Sequence, residues 1–328
     1  SAAVGQGQFD ATYTPLSEED VLGKTLLAMR DDLASYEKEM EAKVEERTEI
    51  LSKQTAQLEV QREEIGRLYN DLTSSIDYAR RIQGAILPSE PNRKLIFDRN
   101  FVLYMPRDGV SGDFPWFHKL DAWRMFAAVD CTGHGVPGAF MSLLGHNALQ
   151  HIGKVYTKPG KILDRLNELA RTVLHRGEGS GLDAEDQVPD GMDIGLISIN
   201  LEEETLEYAG ANSPAYIVRN GDVIELKPDK RAIASFEPGT HTYTTHKVPL
   251  HDGDMVYCAS DGYADQFGGP KGRKFMRKRF RGLLSEMAVM PVEEQEDQLQ
   301  SRIENWRREA EEDQVDDILV CGVRIRLG

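Results

Sequence analysis

Residues 125–145 read MFAAVDCTGHGVPGAFMSLLG, and this stretch decides the fold. An apolar run typical of a β-strand leads into Asp130, a glycine-rich turn follows, and a helical pattern begins near Pro137. Three further carboxylate clusters have a similar setting, and two of them adjoin the apolar runs DMVYCASDG and DDILVCGV. These three clusters are Ser111-Gly112-Asp113, Ser260-Asp261-Gly262 and Asp316-Asp317. The pattern predicts acidic groups at the ends of buried strands.

Acidic side chains placed in this way are suited to holding metal ions. A strand end fixes its backbone, and the short Asp side chain keeps the carboxylate equally fixed. A single Asp of this kind is more often a turn residue or a cap. Several that converge without Lys or Arg between them repel one another unless cations neutralise them. Mg²⁺ and Mn²⁺ prefer oxygen ligands, and two such ions can bind a shared hydroxide and polarise a phosphoryl group.

The rest of residues 88–328 indicates a sandwich of strands with a few helices. Short β-type runs are predicted at 101–105, 123–129, 193–199, 205–209, 215–219, 240–248, 254–260 and 318–325. Helices are predicted at 137–153, 159–176 and 291–311, and a loop at 177–191. Asn220-Gly221 and Asp252-Gly253 are predicted to be hairpin turns. Because regular βαβ alternation is missing, we expect an α+β fold, a β-sandwich flanked by helices.

Residues 20–87 keep a seven-residue apolar repeat that is typical of a coiled coil. One seam consists of Val44, Leu51, Leu58, Ile65, Leu72, Ala79 and Ile86; the other consists of Leu26, Leu33, Met40, Arg47, Gln54, Gln61, Leu68 and Ser75. The polar members of the second seam imply modest stability and a fixed register. Pro88 and Pro91 are expected to stop this helix. We therefore predict a flexible segment at 1–19, a dimerising helix at 20–87 and a catalytic domain at 88–328.

Composition narrows the possible partners and location. The 328 residues carry a formal net charge of −16, which argues against a nucleic-acid binder, and no apolar run is long enough to span a membrane. The cysteines Cys131, Cys258 and Cys321 are far apart in the sequence and form no disulfide framework or metal knuckle. We expect a cytoplasmic protein, or the cytoplasmic part of a longer sensor protein. The basic run Lys271–Arg281 is interpreted first as a solvated loop or helix face, with a docking patch for an acidic or phosphorylated partner as the alternative.

Seven motifs give the chain a specific resemblance over residues 74–326. They are DYARRIQGAILP, VSGDFPWF, AAVDCTGHGVPGAFMSLLG, GMDIGLISIN, YAGANSPAYIVRNG, ASDGYADQFGG and QVDDILVCGVRI. In order and spacing the chain resembles the sporulation-stage-II-E-like branch of the PPM phosphatases. This resemblance implies a β-sandwich flanked by helices, two Mn²⁺ or Mg²⁺ ions, and hydrolysis of phosphoserine or phosphothreonine on proteins.

The resemblance also implies a ligand set. The catalytic residues would be Asp113 and Asp130, and the metal ligands would be Asp113, Asp130, the backbone carbonyl of Cys131, Asp261 and Asp316. Asp317 is the alternative to Asp316, because one sequence does not fix a register of one residue. Asp193 either contacts a third metal or only ends a strand.

Two positions depart from the pattern of the resemblance. Thr132 stands where many eukaryotic relatives have a general-acid His, and His134 lies two residues further on, so a turn-stabilising role for His134 is favoured. Pro115 stands where many relatives of this branch carry Tyr.

The resemblance also suggests partners. We expect a phosphorylated regulatory protein as substrate, such as an anti-sigma-factor antagonist, a homodimer through the coiled coil, and an upstream sensor domain.

Other classes fit the sequence less well. Residues 133–138 satisfy GxGxxG, but no second strand ending in an acid follows, and Asp130 would repel a pyrophosphate. None of the cysteines has an Arg six residues later, as the Cys-x5-Arg motif of cysteine-based phosphatases requires. A catalytically silent scaffold that binds a phosphoprotein is the other alternative, and the retained aspartates argue against it.

The stretch 74–87 has apolar residues on more than one face. Ala79 and Ile86 continue the seam, while Ile76, Ile82, Ala85 and Leu87 lie elsewhere on the helix. A helix of this kind usually contacts more than one neighbour. We expect it to contact both a dimer mate and the catalytic core near the strand carrying Asp113, or else only to complete the core.

Overall fold

The computed structural model describes residues 14, 17, 20–174, 191–234 and 242–327. The predicted segment 1–19 and loop 177–191 lie almost entirely outside these residues, as does the first part of the predicted run 240–248. Contacts divide the chain into two compact units, residues 1–73 and 74–328. Within the described residues, no helix is both long enough and apolar enough to cross a membrane.

Helix α1 (Val21–Ile86) is continuous and about 100 Å long at the usual rise per residue. It ends just before Pro88, as predicted. In the first unit its seam residues are exposed, with 61% of Leu51, 64% of Leu58 and 67% of Ile65 accessible to solvent. The long helix is therefore confirmed, and its apolar seam is uncovered in the single chain.

The second unit contains twelve strands and six further helices among its described residues. The strands are β1 (Asn100–Met105), β2 (Phe114–Leu120), β3 (Trp123–Cys131), β4 (Met192–Asn200), β5 (Thr205–Ala211), β6 (Ala215–Arg219), β7 (Asp222–Leu226), β8 (His246–Pro249), β9 (Met255–Ala259), β10 (Phe267–Gly268), β11 (Arg273–Lys274) and β12 (Ile318–Arg324). The last turns of α1 also belong to this unit. The six further helices are α2 (Glu90–Ile96), α3 (Gly135–Ile152), α4 (Pro159–Leu174), α5 (Gly262–Asp265), α6 (Arg277–Met287) and α7 (Val292–Arg308).

Two five-stranded antiparallel sheets form the sandwich, with strand orders β2-β3-β4-β5-β8 and β1-β12-β9-β6-β7. The alternation along β3 shows how the layers form, because side chains of a strand point to opposite faces in turn. Phe126 and Ala128 pack between the sheets, whereas Met125, Ala127 and Val129 pack against α3 and α4. The other sheet packs its outer face against α6 and α7. The predicted α+β sandwich flanked by helices is confirmed.

Local predictions met different outcomes. Asn220-Gly221 forms the turn between the paired strands β6 and β7, with positive φ at both residues, as a two-residue hairpin requires. The hairpin predicted at Asp252-Gly253 is wrong. This turn joins β8 to β9, which lie in different sheets, so it carries the chain across the sandwich.

Some elements were not predicted. Pro91 was expected to stop a helix, but it lies in the first turn of α2, where a missing N–H costs no hydrogen bond. Strand β2 was not predicted, because Pro115 and His118 interrupt its run of apolar residues. The cysteines Cys258 and Cys321, far apart in sequence, lie opposite each other on β9 and β12 as buried free thiols.

Candidate functional site

One end of the first sheet brings three aspartates together. Phe114 pairs with Val129, so the next residues outward, Asp113 just before β2 and Asp130 on β3, lie side by side. On the other side of β3, Asp130 pairs directly with Asp193 of β4. Antiparallel pairing thus collects carboxylates that are far apart in sequence.

The second sheet contributes acids at its facing end. Ala259 pairs with Val320, which places Asp261 just beyond β9 and Asp316 just before β12. Gly262, directly after Asp261, lets the chain approach the backbone of Asp317 closely, because a Cβ at this position would collide with the Asp317 carbonyl oxygen. The predicted residues Asp113, Asp130, Asp261 and Asp316 therefore come from the ends of both sheets.

Electrostatic interactions show that these aspartates form one cluster. Burial, and after it the charge of Asp130, raises the pKa of Asp113 well above its usual value. Burial also raises the pKa of Asp130, with Asp261, Asp193 and Asp316 adding to the effect. The pKa values of Asp261 and Asp316 are raised as well, mainly by burial and then by neighbouring carboxylates. In the absence of a cation, the fold disfavours full ionisation of this cluster.

Asp113 carries the clearest sign that a cation belongs here. Its side chain is 2% exposed, and Oδ2 is buried without a hydrogen-bond partner among the described residues. The Ser260 side chain lowers the pKa of Asp113 and so opposes part of the effect of burial. A buried, unpartnered carboxylate oxygen is costly unless it is paired or coordinates a metal.

The carboxylate oxygens of these aspartates suit hard divalent cations, although they do not by themselves form a complete coordination shell. No three His, Cys, Asp or Glu side chains within the described ranges already form a complete ligand set. Mg²⁺ usually retains several waters and takes only one or two carboxylates. An open arrangement of aspartates is therefore compatible with such an ion.

Asp316 and Asp317 differ in their hydrogen-bond partners and in their exposure. Both carboxylate oxygens of Asp317 are engaged, since Oδ1 accepts the Arg107 N–H at 2.7 Å and Oδ2 accepts the Gly112 N–H at 2.8 Å. Asp317 is buried and anchors the loop 106–113 that leads to Asp113. Asp316 is exposed, with its Oδ1 accepting the Asp317 N–H at 2.8 Å, and its charge raises the pKa of Asp130 and Asp261; at Asp113 the charge of Asp317 raises the pKa more than that of Asp316 does. This arrangement favours Asp316 as the ligand.

Three other predicted residues have distinct surroundings. The Cys131 thiol is buried, while its carbonyl oxygen lies close to Gly112, where an added Cβ would approach it to 2.9 Å. Asp193 accepts a hydrogen bond from Asn212 Nδ2 at 2.9 Å. His134 is exposed, and its Nδ1 contacts Asp108 Oδ2 at 2.7 Å, in keeping with a role in the turn.

Sequence reasoning missed Gln83, which lies on α1 within the second unit. It is 4% exposed, and its Nε2 donates to the Ser111 carbonyl at 2.6 Å and to Ser142 Oγ at 2.8 Å. Its Oε1 accepts from the Ser111 N–H at 3.1 Å and from the Tyr104 hydroxyl at 3.3 Å. Ser111 Oγ in turn accepts the Asp113 N–H at 3.0 Å. A polar residue in a polar helix gave no sequence signal for this role.

The predicted contact between helix 74–87 and the core needs correction in its residues. Ile82 and Ala85 are exposed, whereas Ile76 and Leu87 are half-buried. Ile76 lies against Gly109, where an added Cβ would be 3.3 Å from Ile76 Cγ2. The helix therefore contacts the loop before Asp113, and Leu87, just past its end, packs against the core cluster that contains Phe114 and Trp116 of β2.

Arg277 is the second residue that sequence reasoning did not assign. It lines a small pocket of about 40 Å³ together with Asp130, Asp193 and Asp261. Its charge opposes the burial that raises the pKa of Asp193 and Asp261. A cation at the rim of an acidic pocket is suited to binding an anion that also contacts metal ions.

Known proteins resemble this chain in sequence and in fold. Residues 123–326 match the profile of the family "Stage II sporulation protein E (SpoIIE)". The SiaA-PP2C domain of Pseudomonas aeruginosa is 33% identical, with a TM-score of 0.69 over 78% of this chain and 98% of that one. No curated protein matches.

Two more distant structures share the fold. The PP2C phosphatase domain of SpoIIE from Bacillus subtilis, solved with a fragment of its regulatory domain, is 19% identical, with a TM-score of 0.54 over 69% of this chain and 62% of that one. A serine/threonine phosphatase from S. agalactiae is 15% identical, with a TM-score of 0.51 over 69% of this chain and all of that one (100%). The family match over residues 123–326 and the 33% identity to the SiaA-PP2C domain show that the chain belongs to the SpoIIE family of PPM-type, metal-dependent serine/threonine phosphatases.

Proposed function

We propose that this protein hydrolyses phosphoserine or phosphothreonine on a regulatory protein, using two Mn²⁺ or Mg²⁺ ions. The single observation that carries the proposal is the convergence of aspartates from both sheets around the buried, unpartnered Oδ2 of Asp113. Family membership supplies the reaction class.

Asp113, Asp130, Asp261 and Asp316 would hold the ions, with the Cys131 carbonyl as a backbone ligand. Bound divalent ions supply Lewis acidity toward a phosphoryl group and lower the pKa of a water molecule. The aspartates repel one another in the folded chain, so they favour cation binding over an empty cluster. No side chain of this cluster needs to act as a nucleophile.

The remaining polar residues would position the substrate and the ligands. Arg277 lines the acidic pocket and would bind a phosphoryl oxygen through its guanidinium group. Asp317 and Gln83 hold the loop 106–113 from two sides, which fixes Asp113 in place. Such support by neighbouring hydrogen bonds usually determines how well a metal ligand is oriented.

We further propose that the N-terminal helix forms a parallel homodimer and controls the catalytic unit. Leu51, Leu58 and Ile65 repeat every seven residues and are exposed in the single chain, as an unpaired coiled-coil seam would be. Gln83, on the same continuous helix, binds the loop before Asp113. A change in helix position upstream would therefore alter the support of a metal ligand, and two such positions of the helix would be the two states that allosteric control requires.

The proposed substrate is a phosphorylated regulatory protein, with an anti-sigma-factor antagonist as the example that the family suggests. We place the protein in the cytoplasm, which suits the three free thiols. The competing function is a phosphoprotein-binding scaffold without catalysis. Hydrolysis of an aryl phosphate in Mn²⁺, measured beside a chelated sample, separates the two, because a scaffold shows no metal-dependent turnover.

A further inference from the structure

A second groove begins next to the acidic pocket; its surface is mostly apolar, and five of its ten described lining residues are Lys or Arg. It has a volume of about 810 Å³ and lies between the β10–β11 hairpin, the start of α6 and the end of α7. No Asp or Glu is among the described residues that line it. Its cationic residues are Lys271, Arg273, Lys274, Lys278 and Arg279.

An aromatic surface forms the floor of this basic groove. The Arg279 guanidinium carbon lies 4.3 Å from the ring centre of Trp306 and 5.4 Å from that of Phe275. Arg279 Nη1 also donates to the Phe275 carbonyl at 3.1 Å. These contacts hold the guanidinium over the rings, where it remains able to bind a carboxylate.

The backbone around the groove is fixed before any ligand arrives. The Gly269 N–H donates to the Trp306 carbonyl at 2.7 Å, and the Trp306 Nε1–H donates to the Gln266 carbonyl at 3.3 Å. Side chains at Gly268 or Gly269 would collide with Trp306, so the hairpin can lie directly on α7 only with glycine at both positions. A preformed groove loses little conformational entropy on binding.

Most of the cations in the groove have no acidic partner of their own. Lys274 pairs with Asp265 at 2.7 Å. Lys271, Arg273 and Lys278 have no carboxylate within 4.0 Å among the described residues. The whole chain has a net charge of −16, so unpaired cations gathered in one groove form a local field opposite to that of the protein. Such a field attracts an acidic partner that the rest of the surface repels.

The basic groove and the acidic pocket meet at the start of α6. Arg277 lines the pocket, whereas its neighbours Met276 and Lys278 line the groove. Met276 has a φ of +74°, a backbone conformation that costs a non-glycine residue about 1–3 kcal/mol and clusters at functional sites. This turn directs consecutive residues to two adjoining sites, so one extended chain could occupy both.

We propose that the basic groove binds an acidic segment of the protein substrate that flanks the phosphorylated residue. The carboxylates of this segment contact Lys271, Arg273 and Lys278, an apolar side chain packs on Trp306, and the phosphorylated residue reaches Arg277. The inference rests on the proposed phosphatase function and adds its sequence preference. A nucleic acid is disfavoured because phosphates that extend beyond the groove would meet the overall negative charge of the chain, whereas a short acidic segment stays within the groove.

Binding to the full chain tests the groove without depending on catalysis. The probe is a fluorescent, unphosphorylated, Glu-rich peptide, and the measurement is its anisotropy at low and high salt. We compare wild type with the triple variant Lys271→Glu, Arg273→Glu, Lys278→Glu. The matched control carries Lys119→Glu, Lys154→Glu, Lys161→Glu, which makes the same charge change at exposed positions outside the groove. We expect the groove variant to weaken binding about tenfold or more and the control about twofold or less.

A second arm links binding to turnover. For each protein we measure kcat/KM for a phosphoserine peptide with acidic flanks and divide it by kcat/KM for an aryl phosphate. This ratio should fall about tenfold in the groove variant and stay near the wild-type value in the control. Equal anisotropy curves for wild type and groove variant overturn the inference, and so does equal binding of a neutral peptide. Binding of single-stranded DNA as tight as that of the acidic peptide also overturns it, because the groove would then be a general polyanion site. Failure of all metal-dependent hydrolysis rejects the proposed function, while the anisotropy result still reports on the groove.

Discussion

The side-chain amide of Gln83 and the backbone of Ser111 form a two-way hydrogen-bonded pair. Nε2 donates to the Ser111 carbonyl at 2.6 Å, and Oε1 accepts the Ser111 N–H at 3.1 Å. Ser111 lies two residues before Asp113 and accepts the Asp113 N–H through its hydroxyl. One residue of the long helix is thereby tied to the backbone that presents a candidate metal ligand.

Replacing Gln83 with Ala should weaken Mn²⁺ activation as well as the fold. The change leaves the buried Ser111 N–H and carbonyl without partners, which costs about 1–3 kcal/mol of unfolding free energy. The loop before Asp113 also loses its support, so the Mn²⁺ concentration for half-maximal activity should shift. Activity titrated against Mn²⁺, with thermal melts in parallel, measures both effects. Gln57→Ala, at an exposed position of the same helix, is the control. If Gln83→Ala lowers only the melting temperature, the helix supports the fold without controlling the site.

Neighbouring aspartates should give opposite results on substitution. Asp317→Asn replaces one acceptor of a backbone N–H with an amide donor, so it should cost about 1.5–3 kcal/mol of stability. Asp316→Asn should leave the metal-free fold nearly unchanged and weaken Mn²⁺ binding. Chemical denaturation and Mn²⁺ calorimetry on both variants measure these quantities. A stable Asp317→Asn protein that fails to bind Mn²⁺ would reverse the assignment of ligand and anchor.

Asp113→Asn should stabilise the metal-free protein and remove its response to metal. Burial raises the pKa of Asp113, so a neutral amide relieves the cost of an uncompensated buried charge. The melting temperature of wild type should rise when Mn²⁺ is added, whereas that of Asp113→Asn should not. Thermal melts in chelator and in Mn²⁺ measure this difference. An equal Mn²⁺ response in both proteins would place the ion elsewhere.

The exposed seam of α1 should dimerise the chain. Leu51→Asp with Leu58→Asp places unpaired charges in the seam and should dissociate the dimer. Light scattering at micromolar concentration should show a dimer for wild type and a monomer for this variant. Ser52→Asp with Ala56→Asp adds the same charge on the outer face and should leave the dimer intact. A monomeric wild-type chain would contradict the prediction.

Elements with a pattern repeated over many consecutive residues were predicted from the sequence better than single turns and interrupted strands. The heptads of α1 and the apolar runs of β3 and β9 are strong signals, because packing imposes their period on many consecutive residues. The turn Asp252-Gly253 misled because a turn motif does not state whether the next strand pairs with the last one. Strand β2 was missed because Pro115 and His118 break its apolar pattern, although both are accommodated beside β3.

The candidate site shows a similar division. Strand-end position and composition identified Asp113, Asp130 and Asp261 as candidates, since these properties are visible locally. The choice between Asp316 and Asp317 required the partners of each carboxylate, which come from residues more than 200 positions away in the chain. Gln83 was missed for the same reason, because its role depends on a loop that only the fold brings near.

The most direct test of the central claim is hydrolysis of a phosphoserine peptide by wild type and Asp130→Asn, each with Mn²⁺ and with chelator. We predict turnover by wild type in Mn²⁺ alone, and a loss of several orders of magnitude in Asp130→Asn with a folded melting profile. Asp121→Asn, an exposed turn residue at a φ of 53° that Asn adopts readily, should behave as wild type. Wild-type turnover by Asp130→Asn, or by the wild-type enzyme stripped of metal, would contradict a two-metal phosphatase built on these aspartates.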